Sequence, residues 1–155
     1  MTDKTLTLRA ATSADCRFYW EVNNAPSTRA LSVSSAPIPW DDHTQWFESK
    51  QGDATTPLYV AETGGQRVGV VRFDLVDNEA VISVAIAEAH RGRGLGRRVI
   101  AEGTRTTLAI DGVSHVIALI RPDNIGSVRA FKAAGYLHDG ETHSGEIELL
   151  RYVAR

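Results

Sequence analysis

Arg91-Gly92-Arg93-Gly94-Leu95-Gly96 follows an apolar run, Ala80 to Ala87, and opens a helical pattern carried by Leu95, Val99, Ile100 and Leu108. Glycines at a strand-to-helix junction let the backbone approach a ligand closely, and the unpaired amides and dipole of the helix start favour an anion. Arg91, Arg93, Arg97 and Arg98 can add charge-assisted hydrogen bonds, so a pyrophosphate fits. The spacing lacks the Lys and Ser or Thr of a P-loop, and Arg97 stands where a dinucleotide fingerprint needs its third Gly. The structural alternative is a plain turn that happens to contain glycines.

Upstream, Leu58 to Thr63 and Val68 to Leu75 flank Gly64, Gly65 and Gln66 as a hairpin, and Asp77 and Asn78 turn the chain into the run Ala80 to Ala87. Downstream, Asp111 and Gly112 end the helix and His115 to Ile120 forms another apolar strand. Asn124 caps a last helix through Val128, Phe131 and Ala134, stopped by Gly135, and Tyr136 to Glu141 with Ile147 to Val153 close the chain as a strand pair. At the start, Leu6 and Leu8 alternate as a short strand, Thr12 caps a helix with Phe18, Trp20 and Val22 as apolar surface, and Asp41 or Asp42 caps another with Trp46 and Phe47 buried. Asn23 to Pro39 reads as a long irregular connection suited to binding a substrate. A meander, a crossover and a terminal hairpin give an α+β class with a mixed, mostly antiparallel sheet.

The 155 residues suit one domain, 1–155, with no sign of a linker. At 43% hydrophobic and 23% charged residues, the composition excludes the disordered and membrane classes. A net charge of -2 argues against a nucleic acid partner, and the lone Cys16 excludes an internal disulfide and a cysteine-based metal cluster. No apolar run resembles a membrane span or, from Met1 onward, a secretory signal, so the expected location is cytoplasmic.

Arg91, Gly94 and Gly96 match the coenzyme A signature of the GNAT superfamily of N-acetyltransferases: Gln or Arg, two residues, Gly, one residue, then Gly or Ala. Asn124, Ser127, Phe131, Gly135 and Tyr136 resemble that family's second motif, and the deduced order of elements is also the family's. The resemblance implies a GNAT-like acyl-CoA N-acyltransferase fold with helices on both faces of the sheet, acetyl-CoA as co-substrate and no metal. It further implies that the backbone of Val84, Ala85 and Ile86 pairs with the pantetheine arm, that Arg91, Gly92, Arg93, Gly94, Leu95, Gly96 and Arg97 hold the pyrophosphate, and that Asn124, Ser127 and Phe131 line the opposite wall. Asn124 as a plain helix cap is compatible with both readings.

The reaction implied is attack of a neutral amine on a thioester, which needs a base for the amine and a proton for the departing thiolate. An alkylamine of pKa near 10.4 is neutral in only about one molecule in a few thousand at pH 7, so a basic acceptor needs substantial help. The chain departs from the family here: Phe131 replaces the usual Tyr, and Leu119 stands where some relatives place Glu. Glu79 and Ser83, on one strand face by alternation, are the catalytic candidates, beside positioning with water carrying the protons.

The segment Val22, Asn23, Asn24, Ala25, Pro26, followed by His43, Trp46 and Phe47, resembles a GNAT subgroup with a Trp-Arg-Asn-Asp-Pro stretch and a His-x-x-Trp-Phe motif. That subgroup includes enzymes acting on nucleotide-linked amino sugars, although Val22, Asn23 and Ala25 depart from its pattern. The expected acceptor contacts are Asn24, Arg29, His43 and Trp46, the last two with structural alternatives as a helix-surface histidine and a core aromatic. The leading expectation is acetylation of a small-molecule amine, with protein N-terminal or lysine acetylation and a non-catalytic acetyl-CoA sensor as alternatives. The partners expected are that amine and at most a second copy of the chain in a homodimer, with neither nucleic acid nor membrane.

Overall fold

The computed structural model describes residues 5–155, so the reading of Met1 to Lys4 lies outside the described residues. The chain forms β1 (Leu6–Ala10), α1 (Cys16–Asn24), α2 (Pro26–Ala30), α3 (Trp40–Lys50), β2 (Leu58–Thr63), β3 (Gln66–Val76), β4 (Glu79–Ile86), α4 (Leu95–Leu108), β5 (His115–Ile120), α5 (Ile125–Ala133), β6 (Leu137–Ser144) and β7 (Ile147–Ala154). The seven strands make one sheet in the order β1-β2-β3-β4-β5-β7-β6, with β4 and β5 the parallel pair. This is the mixed, mostly antiparallel α+β sheet expected. No helix among the described residues is long and apolar enough to cross a membrane.

Strand alternation divides the core between the two faces of the sheet. Ala61, Val71 and Phe73 pack with Leu95, Val99, Ile100 and Phe131 of α4 and α5, whereas Val60 and Val70 pack with Tyr19, Val22 and Phe47 of α1 and α3. The fully buried residues of α1 are Tyr19 and Val22, three apart; Phe18 packs against the same cluster half-buried, whereas Trp20 turns aside to the Trp40 ring and the Ile38 carbonyl. On α3 the buried pair is His43 and Phe47, four apart, with Trp46 half-buried. This helix starts at Trp40 with Pro39 in the cap position, so Asp41 and Asp42 sit in its first turn, where they favour the dipole instead of capping.

The segment expected as one long loop carries more helix. α1 continues to Asn24, and Pro26, its φ already set for a helix, begins α2. The irregular part is 31–39.

Asp15 ties the first strand to this layer. Its side chain is 2% exposed and accepts bonds from Arg9 at 2.7 and 2.9 Å, from the Thr12 amide at 2.8 Å and from Arg67 at 3.3 Å. The Arg9 hydrogen bonds hold its carboxyl well below the usual carboxylate range. A depressed folded-state pKa gives stability that is complete above the unfolded value near 4 and is lost as pH falls through the folded value. Asp15→Asn is expected to cost about 2–3 kcal/mol at neutral pH in urea unfolding, and to flatten the acid side of the stability profile. A variant that keeps the wild-type acid slope would remove Asp15 as its source.

Candidate active site

β4 and β5 pair only through Glu79–Val81 against His115–Ile117. Beyond Val81, β4 continues against β3 as far as Ile86 and β5 continues against β7 as far as Ile120, with no further pairs between them, so the two parallel strands part. Val84, Ala85 and Ile86 lie on this parted stretch. An extended ligand can add to such an edge with backbone hydrogen bonds.

The glycine segment follows directly. Gly92 and Gly94 adopt φ of 78° and 73°, the left-handed region that glycine enters without strain, and Gly94 is the cap of α4. A Cβ built on either would meet no heavy atom within 4 Å, so the space over the loop is open to an approaching group. The first amides of α4 face no helical partner there, which suits a pyrophosphate. The residues present therefore fit coenzyme A.

The arginines divide their duties. Arg91 donates to Ser27 Oγ at 2.6 Å, Thr28 Oγ1 at 2.8 Å and the Ile86 carbonyl at 3.1 Å, and its own amide bonds Glu88, so it braces α2 against the end of β4. Arg93 bonds the Ala89 carbonyl and stands against His90. Arg97 is exposed at the cleft wall, and the Arg98 amide is already in the helix ladder with Gly94. The loop offers backbone amides first and Arg97 as the side chain beside them.

A cleft of about 1060 Å³ runs from this loop, past β4 and β5, to α1, α2 and α3. Asn124, Ser127 and Phe131 line the wall opposite the loop, and Asn124 Oδ1 also accepts the Ser127 amide at 3.2 Å, so it does cap α5. At the other end stand Arg29, His43 and Trp46, together with Ser83 on the floor.

Two expected residues are placed elsewhere. Glu79 is outside the lining: its carboxylate is 3.0 Å from His115 Nε2 and 3.9 Å from Arg151. Alternation did put it on the face of Ser83, but four residues along a strand is roughly 13 Å, too far for a shared catalytic role. Asn24 is a brace, its Oδ1 accepting the Ile38 amide at 2.7 Å, and Asn23 is the asparagine that reaches the cleft.

Arg72 is the residue that sequence reasoning missed. It pairs in register with Ser83, donates to Ser83 Oγ at 3.1 Å and to Asp74 at 3.1 Å, and lies 5.3 Å over the Trp46 ring. Only the register between β3 and β4 brings a cation to that hydroxyl. Tyr136 does not replace the tyrosine missing at 131: its ring is 4.9 Å from Phe131, but its hydroxyl is 2.6 Å from Thr104 Oγ1 in the core, and burial pushes its pKa up to about 12.

Residues 5–137 match the family described as Acetyltransferase (GNAT) domain. The chain belongs to the GNAT acetyltransferase family. It is accordingly an acetyl-CoA-dependent N-acetyltransferase, and the cleft runs between the glycine loop and Asn124. The chain is similar to YwnH of Bacillus subtilis (strain 168), whose name refers to phosphinothricin acetylation, at 27% identity over 87% of this chain and 86% of that one. It is 29% identical to the L-methionine sulfoximine/L-methionine sulfone acetyltransferase of Salmonella typhimurium, over 84% of this chain and 80% of that one. In fold it matches spermidine N-acetyltransferase from Vibrio cholerae, solved with CoA and spermine, with TM-score 0.85, 19% identity and coverage of 96% and 94%. These relatives carry amino-acid and polyamine names, and none of them names an amino-sugar nucleotide.

Proposed function

We propose that this GNAT enzyme acetylates the primary amine of a small molecule that also carries an anionic group, donor and acceptor meeting in the one cleft. The observation that carries the reading is Arg29. It lines the acceptor end, its Nη2 is committed to the Ser34 carbonyl, and its Nε is buried without a hydrogen-bond partner among the described residues. Burial pushes its pKa down, which is the cost of holding a guanidinium away from water. A carboxylate or phosphate oxygen offsets that cost with charge-assisted bonds.

Acetyl-CoA supplies an activated acyl carbonyl when bound. The chain's own residues orient the partners: the parted stretch of β4 aligns an extended ligand, Arg72 fixes the Ser83 hydroxyl beneath the acceptor, and Trp46 forms an apolar side. Orientation of this kind supplies a large share of the rate in a two-substrate reaction. With Phe131 on the wall, the departing thiolate takes its proton from water or from the Ser83 hydroxyl.

Two acceptors have the required chemistry. A nucleotide-linked amino sugar is favoured by the pattern around His43 and Trp46, and an amino acid by the names of the relatives. The test is thiol release from acetyl-CoA over a panel of nucleotide amino sugars, amino acids and their sulfoximine analogues, polyamines, aminoglycosides and N-terminal peptides. Anionic amines should turn over best, and Arg29→Met should raise their KM by about 10–100-fold, the loss expected for a charge-assisted pair. Selective turnover of polyamines would reject the anionic acceptor; acetylation of peptides alone would reject the small-molecule reading.

A further inference from the structure

His43 lines the acceptor end of the cleft although its residue is 3% exposed. Its ring is fixed by aromatic neighbours on its own helix, Trp40 stacked at 5.9 Å, Trp46 at 5.9 Å and Phe47 at 5.8 Å. Nε2 lies 2.8 Å from the Cys16 carbonyl on α1. A carbonyl only accepts, so Nε2 carries the proton, and in the neutral ring the lone pair is then on Nδ1. Nδ1 has no hydrogen bond among the described residues.

We propose that His43 is the general base of the reaction, taking the proton of the attacking amine on Nδ1, directly or through one water. As the N–C bond forms and the C–S bond breaks, one proton passes from the amine nitrogen to Nδ1. The sulfur leaves as thiolate and takes a proton from solvent, and the imidazolium returns its proton to water. The inference rests on the cleft being the place where an amine is acetylated.

The surroundings keep the ring neutral. Burial is the main cause that pushes the His43 pKa below 6.5, against a smaller opposite effect of the Cys16 carbonyl. Asp42 and Glu48 belong to the same helix, Cys16, Arg17 and Tyr19 come from α1, and Arg72 from β3; Arg17 and Arg72 lie over Trp40 and Trp46, the rings flanking His43. Asp42 also lines the cleft, but a carboxylate is a weaker base than an imidazole at neutral pH.

His43→Gln separates the base from the brace, because the glutamine amide can still donate to the Cys16 carbonyl while no basic nitrogen remains. With an acceptor that the wild type acetylates, kcat should fall by about 10²–10⁴-fold with acetyl-CoA affinity unchanged. For an acceptor amine that titrates above 8, log kcat/KM in the wild type should rise with slope one near neutrality and slope two in the acid range, where both amine and imidazole must lose a proton. The variant should keep slope one throughout. Wild-type kcat and slopes in His43→Gln would overturn the assignment, as would a loss matched only by Asp42→Asn. A wild type that acetylates no amine would instead overturn the reading of the cleft. Independently of turnover and of the variant's folding, nitrogen NMR of the unliganded wild type should show His43 neutral with its proton on Nε2 at pH 7.5; a proton on Nδ1 would overturn the proposal.

Discussion

Gly94→Trp should weaken acetyl-CoA binding by more than about 100-fold, a loss of roughly 3 kcal/mol or more, while leaving a folded protein. Gly94 caps α4 at φ 73° and borders the cleft. A side chain at this φ costs about 1–2 kcal/mol of backbone strain, which lowers the melting temperature by a few degrees in a chain of this size. A Cβ there touches nothing within 4 Å, so the indole displaces no core atom and instead projects into the space over the loop amides. Gly112 is the matched control: its φ is 90°, its Cβ also meets nothing within 4 Å, and it lies outside the cleft lining. Gly112→Trp should cost similar stability and leave the affinity intact. Titration calorimetry on both variants decides the matter, and retained affinity in Gly94→Trp would remove the loop as the pyrophosphate cradle.

Phe73→Ala should be the most damaging single truncation, at about 3–5 kcal/mol, with the melting temperature lower by roughly 10 °C. Phe73 is 0% exposed on β3 and meets the Tyr59 ring edge-on at 6.3 Å. It also lies directly under α4: a Cβ on Gly103 would stand 3.1 Å from Phe73 Cζ. The helix approaches the sheet because position 103 has no side chain, and the ring fills the space that results. Removing the ring leaves a cavity beneath the helix whose first turn continues the glycine loop proposed to hold the cofactor, so lost stability and weakened acetyl-CoA binding are expected together. Chemical denaturation measures the first and calorimetry the second. A cost below about 1 kcal/mol would mean that α4 settles onto the sheet by itself.

The parts of this fold that the sequence made legible are those with a strong local signal. His115 to Ile120 is an unbroken apolar run and forms β5 over those same residues. Leu95, Val99, Ile100 and Leu108 repeat with the helical period and form α4, and Asn124 caps α5 as its side-chain chemistry suggests. α2 was not legible because five residues, Pro26 to Ala30, are too few for a period to register. The burial of His43 depends on α1 packing over it, and the pairing of Arg72 with Ser83 depends on the register of two strands. Neither is encoded within one segment. The misplacement of Glu79 has a related cause, since alternation specifies a face of the sheet but not a position along it.

The parting of β4 from β5 should tie the lifetime of the protein to its metabolic surroundings. Along the ladder, the β1–β4 side and the β5–β7–β6 side are joined by three residue pairs, and a ligand lying against the parted stretch would act as a splint across them. A ligand that binds only the folded state adds stability by mass action, about 2.7 kcal/mol at a hundredfold excess over Kd. The resistance of this chain to heat and to proteases should therefore rise and fall with the supply of acyl donor, so that an enzyme short of its donor is also the one cleared first.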